Sequence, residues 1–443
     1  MHRKAIVHVV TKSRMKSDAF SIEIDLIEHL SEKYGIKNVI FYKGEGIEYQ
    51  DMLSKLEKFG ILLYNYTNRD DLKEKIQEVN NEYEIVFVDT PMELLVNVVN
   101  EVRTDLGLAL SDSPDIFRDK YLQRRLIQEH DNKLGIRFIS LTPDKIDLDS
   151  IESKVGYPCI IKPTDGLQSS GVVKIHNRDE LQSYLDHYQD FHDRLKSRGV
   201  DSKNLIIEEF IDGQLYSVDY FVNHEGEVML SPAVKVGLAR DIGVKDYANI
   251  SRVLTEKTVD DLKGKRLKHF VKSTIQATGI RNTFVHHEFK LNSKGELKTI
   301  ELNGRIGGGR LELLYRAYGI NLYEFIINKS IKVPKIKKSN IAVNIYATCR
   351  GELDSFNQEL LHKIHKRKSV FSIFLEEKCV GKEVGLTQDG FVKLGTIKLE
   401  HENYDEIRKD YRYIKKHYRD LLEIDTQQGG IKIFKSLKKI FKK

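Results

Sequence analysis

Acidic and amide side chains with the spacing of a metal site lie near residue 300 of the chain. Two strand-like runs flank a turn there, and if Lys294-Gly295 is the two-residue loop of a hairpin, Glu288 and Glu301 lie directly opposite each other. Asn303 follows two residues on and shares their face. Facing carboxylates repel, and a hard divalent cation with oxygen ligands would compensate. The alternative is that both side chains extend into solvent.

Basic and glycine residues directly after this hairpin favour the metal interpretation. Arg305 is followed by Gly307-Gly308-Gly309 and then by Arg310. Glycines let the backbone approach a ligand closely, and guanidinium groups bind phosphate in a two-pronged geometry. The stretch therefore predicts a combined metal and phosphate site.

Two lysines elsewhere are candidates for binding the same phosphates. Lys162 ends a buried strand and precedes the polar loop Thr164–Gly171, which suits anion binding, although an exposed hairpin loop is the alternative. GxxxxGK[ST] is absent, so this is not a Walker A loop. Lys120 lies in the first turns of a predicted helix over Asp115–Asp131, where spacing alone favours a solvated lysine. The basic stretch Lys235–Asn249 could hold anionic groups or be a solvated loop.

Regular elements must position these residues, and the chain alternates strand and helix signals over residues 1–110. Such alternation predicts βαβ units with a parallel sheet, which would act as a scaffold or as one wall of a substrate site. No GxGxxG follows the first strand, so a dinucleotide site is not expected. After a basic, linker-like run near residue 334, the remaining strands and helices predict a small α+β unit.

Composition limits the classes of function. The chain has 443 residues and a net charge of +6, with six lysines and no acid in Ile431–Lys443, so nucleic-acid binding by the body is not indicated. Three scattered cysteines fit a reducing cytoplasm, and no run is long enough to span a membrane. The basic tail is amphipathic and would either dock on its own domain or lie on the anionic inner surface of a membrane. A homodimer is compatible with the sequence.

From about Lys120 to Ile327 the chain resembles the ATP-grasp superfamily, in particular the carboxylate–amine (amino-acid) ligases. Five pieces occur in the family's order: Lys120, Tyr157-Pro158 to Lys162-Pro163, Ser169-Ser170-Gly171, Glu208 to Gly213, and Glu288 with Glu301-Leu302-Asn303-Gly304-Arg305. The resemblance implies four segments: an α/β domain over residues 1–112, the ATP-grasp domain over 113–334, an α+β subdomain over 335–428 and the tail over 429–443.

The resemblance also implies roles for individual residues. Lys120 and Lys162 would bind the phosphates of ATP, and Ser169, Ser170 and Gly171 would lie over the β- and γ-phosphates. Glu208, Glu209, Phe210 and Ile211 would form the hinge that meets adenine. Glu288, Glu301 and Asn303 would hold two Mg²⁺ ions, which Mn²⁺ could replace, and Arg305 would hold the transferred phosphoryl group. Where many members bind ribose with a glutamate, this chain has Leu215, so Asp212 or Gln214 would have to substitute.

The activity implied is ATP-dependent formation of an amide or peptide bond from a carboxylate and an amine, through an acyl phosphate, with release of ADP and phosphate. Two alternatives stay open: a relative that activates bicarbonate, and a nucleotide-binding protein without catalysis. The small-molecule substrates, amino acids among them, would contact His286, Lys235 and Arg310. A packed or exposed histidine is an equally good interpretation of His286.

Overall fold

A computed structural model describes residues 3–15, 17–44, 50–108, 114–141, 147–164, 170–197, 204–260, 262, 264–328 and 332–426. Two predictions, the role of Ser169 and the amphipathic tail Ile431–Lys443, fall outside these residues. Among the helices described, none combines the length and the apolar character needed to cross a lipid bilayer.

The N-terminal part of the chain forms a four-stranded parallel sheet in the order β3-β2-β1-β4. Residues 5–10 of its central strand are all buried, as expected for a parallel sheet covered by helices on both faces. The predicted parallel α/β fold is thereby confirmed. Its elements are β1 (Lys4–Thr11), α1 (Lys12–Met15), α2 (Asp18–Tyr34), β2 (Lys37–Lys43), α3 (Gln50–Lys58), β3 (Leu62–Tyr66), α4 (Arg69–Glu82), β4 (Glu84–Asp89) and α5 (Val96–Asp105).

A second, antiparallel sheet of four strands follows, in the order β5-β8-β6-β7. Its elements are α6 (Lys120–His130), β5 (Phe138–Leu141), α7 (Leu148–Lys154), β6 (Cys159–Pro163), β7 (Val173–Ile175), α8 (Arg178–Asp186), α9 (Tyr188–Lys196) and β8 (Leu205–Glu209). The helix predicted over Asp115–Asp131 is shorter than expected and begins at Lys120. The Asp119 carboxylate accepts hydrogen bonds from the amides of Tyr121 and Leu122, so it caps the helix at that point.

The largest sheet runs β14-β13-β9-β11-β12-β15-β19-β17, and β10 pairs with β9. Its first elements are β9 (Gln214–Val222), β10 (Val228–Leu230), β11 (Val234–Leu238), β12 (Asn249–Leu254), α10 (Glu256–Asp260), α11 (Gly264–Thr278), β13 (Thr283–Leu291), β14 (Leu297–Asn303), α12 (Arg310–Tyr318) and α13 (Glu324–Ile327). Helix α11 covers one face with apolar residues that pack on β9 and β13.

The C-terminal part contributes three strands to this same sheet and adds a three-stranded sheet in the order β18-β16-β20. Strands from both sides of the boundary predicted between residues 334 and 335 are therefore hydrogen-bonded neighbours, because β12 pairs with β15. The elements are β15 (Ser339–Ile345), β16 (Gly351–Phe356), α14 (Gln358–His365), β17 (Val370–Leu375), β18 (Glu383–Val384), β19 (Gly395–His401), α15 (Tyr404–Lys416) and β20 (Leu422–Asp425).

The hairpin of β13 and β14 has the predicted pairing, Glu288 opposite Glu301, but reaches it by a different turn. The loop is not the two-residue Lys294-Gly295 turn, because Asn292 and Glu296 pair through their backbones and leave three residues between them. A β-bulge next to Glu288 then shifts the register by one residue. The two offsets cancel, so the carboxylates face each other.

Candidate active site

A cleft lies between the second sheet and the large sheet. Nine residues that the sequence assigned to ATP or metal line it: Lys120, Lys162, Ser170, Glu208, Glu209, Phe210, Ile211, Glu288 and Glu301. Residues that were not assigned complete the walls, among them Ile136, Ile160, Val172, Leu238, Tyr247, Asn249 and Lys290. Folding therefore gathers most of the predicted nucleotide-binding residues around one apolar cleft with a few charged groups, as is typical of ligand sites.

One side of the cleft carries alternating cations and carboxylates. The Lys120 ammonium lies 3.0 Å from Glu301, and the Lys162 ammonium lies 2.8 Å from Glu208. Arg124, on the same face of α6 as Lys120, lies 2.9 Å from the other oxygen of Glu208. Burial alone would raise the pKa of Glu301, but Lys120 and Lys162 outweigh it and lower that pKa to about 2. Glu301 is therefore ionised at neutral pH.

The second carboxylate of the hairpin, Glu288, has its own compensating groups. The Asn249 amide donates to Glu288 at 3.3 Å, and His286 Nε2 lies 3.6 Å from the same carboxylate. His286 Nδ1 lies 3.1 Å from Asp219. Burial would lower the pKa of His286, but the Asp219 carboxylate outweighs it and raises that pKa. His286 is thus packed between two acids. This arrangement agrees with the packed histidine given above as the alternative, and not with an open substrate contact.

These contacts change the argument for a metal. The repulsion between the two glutamates is offset by Lys120 and His286, so it does not by itself require a cation. The donor set still suits Mg²⁺, because Glu288, Glu301 and Asn303 present carboxylate and amide oxygens on one face of the hairpin. No cluster of three or more His, Cys, Asp or Glu side chains that could hold a metal occurs within the described ranges. Mg²⁺ at this position would depend on phosphate oxygens for its other ligands.

The glycine-rich loop after β14 is fixed to the large sheet through Asp219 on β9. The Gly307 amide donates to Asp219 at 2.7 Å, and a side chain at Gly307 would overlap the His286 ring, so only glycine fits. Arg310 donates to the Ser217 hydroxyl at 2.7 Å and lies 3.7 Å from Asp219. Because Arg310 is only 2% exposed, it positions the loop and does not present an open cation to a substrate.

Arg305 connects this loop to the N-terminal domain. Its guanidinium donates to the Glu93 carboxylate at 2.7 Å and to the Ile306 carbonyl at 3.0 Å. Beside it, the loop and the end of β4 enclose a small inner cavity, lined by Arg14, Glu23, Asp89, Pro91, Ile306 to Gly309, Leu311, Glu312 and Tyr323. Asp89 is 1% exposed and accepts from the Tyr323 hydroxyl at 3.2 Å through one oxygen. Its other oxygen is buried without a hydrogen-bond partner among the described residues.

The predicted adenine hinge contains an aromatic ring between two cations. The Phe210 ring lies 3.7 Å from the Lys174 ammonium and 5.0 Å from the Lys290 ammonium. Lys290 also donates to the Ile211 carbonyl at 2.7 Å. Burial lowers the pKa of Lys290 to about 8. The sequence did not single out Lys290, although its position two residues after Glu288 places it on the same strand face.

Neither residue proposed to replace a ribose-binding glutamate lines the cleft. Asp212 accepts from the Ser293 amide at 3.1 Å and so ties the hinge to the hairpin loop. Gln214 donates to the Val236 carbonyl at 2.7 Å and borders a cavity on the other face of the sheet. Leu215 itself lines the cleft, opposite Lys290 in the strand register.

Two further predicted contacts lie outside the cleft. Lys235 follows Val234, which pairs with Ser217 on the cleft face, so Lys235 points to the opposite face of the sheet. The structure therefore does not bring Lys235 to the predicted substrate site. Gly171 does not line the cleft either, and its amide donates to the Gln388 carbonyl at 3.0 Å.

Helix α6 and the hairpin are joined by a side chain that the sequence analysis missed. The Gln123 amide group donates to the Leu302 carbonyl at 2.8 Å and accepts from the Leu302 amide at 3.0 Å. Arg124 donates to the Ile300 carbonyl on the same strand. These bonds hold Lys120 and Glu301 in register. Its spacing of four residues after Lys120 could have identified Arg124 as a second cation on the same helix face. No sequence pattern around Asp219 indicates its role in the site.

Known proteins resemble this chain over the same region. Residues 155–312 match the model of the ATP-grasp domain. A D-alanine--D-alanine ligase of Halothermothrix orenii is 26% identical over 190 residues, which are 42% of this chain and 52% of the ligase. An L-arginine-specific L-amino acid ligase of Bacillus subtilis is 27% identical over 202 residues, which are 45% of each protein. The chain thus spans about half the length of these curated relatives.

A solved structure extends the likeness to nearly the whole fold. The L-amino acid ligase from Bacillus licheniformis superposes with a TM-score of 0.65 at 18% identity, covering 96% of this chain and 100% of the ligase. At that identity the comparison establishes a shared fold. Together with the matched domain and the two sequence relatives, it confirms the resemblance found in the sequence: residues 155–312 match the ATP-grasp domain, and the chain is similar to carboxylate–amine ligases of that superfamily.

Proposed function

We propose that the protein joins a carboxylate to an amine at the expense of ATP, through an acyl phosphate, and releases ADP and phosphate. The observation that carries this proposal is the pairing of Glu288 with Glu301 in a cleft that also contains Lys120 and Lys162. ATP-grasp enzymes use ATP and Mg²⁺, and this cleft offers carboxylates for the ion and ammonium groups for the phosphates. Glu288, Glu301 and Asn303 would hold the ion, which would neutralise charge on the triphosphate.

In the first step, an oxygen of the substrate carboxylate would attack the γ-phosphorus, and the bond from that phosphorus to the β–γ bridging oxygen would break. ADP leaves with the electron pair of that bond. Lys120 and Lys162 would orient the phosphates, so their contribution is position and charge rather than covalent chemistry.

In the second step, the amine would attack the acyl carbon, lose a proton, and expel phosphate. Arg305 borders the glycine-rich loop and would stabilise the anionic tetrahedral state after exchanging its contact with Glu93. The amides of Gly308 and Gly309 are free to assist, because they donate to no acceptor in the described part of the chain.

The inner cavity between this loop and β4 is the proposed substrate pocket. The buried Asp89 oxygen without a partner would accept a hydrogen bond from an ammonium group. Arg14 and Glu23, which form an ion pair with each other, also line the cavity and would offer one basic and one acidic group to a zwitterion. An amino acid fits this set of groups, and the similarity to two amino-acid ligases supports the same substrate class.

The test is ATP-dependent phosphate release from a panel of amino-acid pairs, with products identified by mass spectrometry. Glu301→Gln should lower phosphate release by about 100-fold or more, because it removes one fixed charge that faces the transferred group. Glu296→Gln is the matched control on the same hairpin: Glu296 is exposed, its carboxylate accepts a hydrogen bond from Asn292 in its own loop, and the variant should stay within about twofold of the wild type.

Different results would support other functions. Phosphate release that needs bicarbonate and no amine would indicate a carboxylating enzyme. Nucleotide binding without turnover across the panel would indicate a binding protein. Full activity of Glu301→Gln would contradict the assigned role of the hairpin, whichever substrates are used.

A further inference from the structure

The face of the large sheet opposite the cleft contains a second cavity of about 520 Å³, here called the back cavity. Strands β11, β12 and β15 form its floor, and helices α10 and α15 form its sides. It is lined by Gln214, Lys235, Gly237, Asp241, Ser251, Val253, Thr255, Lys257, Thr258, Ile341, Tyr404, Ile407, Arg408, Tyr411, Arg412 and Lys415. This lining shares no residue with the cleft.

The charge of the back cavity is strongly one-sided. Five cations line it, namely Lys235, Lys257, Arg408, Arg412 and Lys415, against one carboxylate, Asp241. Asp241 accepts a hydrogen bond from the Leu238 amide at 2.9 Å and is thus engaged by the backbone. The five cations come from β11, α10 and α15, so the fold brings them together from three separate parts of the chain.

None of these five cations has a carboxylate partner within 4.0 Å in the part of the chain that the structure describes. At the cleft, by contrast, Lys120, Lys162 and Arg124 each have such a partner. Like charges held in one cavity repel, and an anion between them would remove that cost. The cavity therefore has an excess of positive charge, as is typical of an anion-binding site.

Aromatic and hydroxyl groups complete the surroundings of these cations. The Lys257 and Arg408 side chains lie 5.1 and 6.0 Å from the Tyr404 ring, which restricts where their charges can be. The Tyr411 hydroxyl is fixed by Ser251 at 2.6 Å, on the floor of the cavity. Gly237 lies beneath, where a side chain would overlap the Ser251 hydroxyl, so the floor remains open.

We propose that the back cavity binds a small, free anion that carries phosphate groups. Arginines, lysines and hydroxyls are the groups that bind phosphate oxygens in proteins, and the concave shape favours a compact ligand over a flat surface. The chain's own basic tail is excluded as the occupant, because Ile431–Lys443 contains six lysines and no acid. This site would be separate from the ATP cleft and does not depend on the proposed reaction.

The test compares two double variants of α15 in the full chain. Arg408→Ala/Arg412→Ala removes two cations from the cavity, whereas Lys409→Ala/Lys416→Ala removes the same charge from the exposed side of the same helix. Calorimetric titration with tripolyphosphate at physiological salt should show one binding site lost, or weakened by about tenfold or more, in the first variant. The control should change by about twofold at most. Any binding at the cleft is common to both variants and cancels in the comparison.

Several outcomes would overturn the proposal. Equal weakening in both variants would indicate attraction to general surface charge, and unchanged binding in Arg408→Ala/Arg412→Ala would leave the cavity without a role. Association with phosphatidylglycerol vesicles but not with tripolyphosphate would indicate a lipid surface instead of a free anion. If the double variant does not fold, as judged by circular dichroism, Lys235→Met on β11 provides the same test from the floor of the cavity.

Discussion

Glu208 and Glu209 are neighbours in the predicted adenine hinge but lie in opposite surroundings, and exchanging each for glutamine distinguishes their roles. Glu208 lies between Lys162 and Arg124, and the three side chains are only 4%, 8% and 1% exposed. Burial would raise the pKa of Glu208, but Arg124 and Lys162 lower it, so the carboxylate is charged at neutral pH. Glu208→Gln keeps the shape and removes the charge, leaving two buried cations without their counter-ion.

Breaking a buried ion pair by removing one partner costs about 3–5 kcal/mol, and we expect Glu208→Gln to lower the free energy of unfolding by about 3 kcal/mol. Glu209 pairs with Arg137, whose side chain is 57% exposed, and such surface pairs contribute about 0–1 kcal/mol. Urea denaturation of the full chain, followed by circular dichroism, measures both variants under the same conditions. Equal stability of the two variants, or a loss below about 1 kcal/mol for Glu208→Gln, would refute this reasoning.

Two further predictions concern the cleft and the loop beside it. Because burial lowers the pKa of Lys290 to about 8, its ammonium is charged below that pH and neutral above it, so affinity for a nucleotide should fall as the pH rises through about 8. Calorimetry should show that Lys290→Met removes this pH dependence and that Lys294→Met, in the exposed hairpin loop, retains it; identical profiles in the two variants would contradict the assignment. Gly307→Ala should lower the unfolding free energy by about 1–3 kcal/mol through overlap with His286. Gly308→Ala, whose added carbon would meet nothing closer than 3.9 Å, should match the wild type in the same urea titration, and equal losses would show that the overlap is relieved.

The sequence predicted the type of site better than its internal contacts. The order of the motifs was sufficient for the superfamily resemblance and for nine of the residues that line the cleft, but it did not indicate others such as Tyr247 and Lys290. The pairing of Glu288 with Glu301 was predicted from a two-residue loop that does not form, and it holds because a longer loop and a bulge cancel. The correct prediction of this pair therefore does not confirm the two-residue turn from which the pairing was derived.

Contacts between residues that are distant in the chain could not be predicted from the sequence. Asp219 anchors both His286 and Gly307, but its position depends on the register of β9 against β13, which no local pattern encodes. Lys235 lies in a basic stretch that looked suitable for substrate, yet strand alternation turns it to the opposite face. The sequence likewise did not indicate that Lys120 compensates the charge of Glu301, because Lys120 lies 181 positions before Glu301 in the chain and contacts it only after folding.

The bonds from α6 to β14 have a consequence for the behaviour of the protein in concentrated solution. β14 is the terminal strand of the large sheet, and an uncovered terminal strand can recruit a strand from another molecule. Gln123 occupies both backbone groups of Leu302, and Arg124 occupies the carbonyl of Ile300. The helix that carries Lys120 to the cleft thus also blocks that border against intermolecular pairing, so weakening it would favour aggregation.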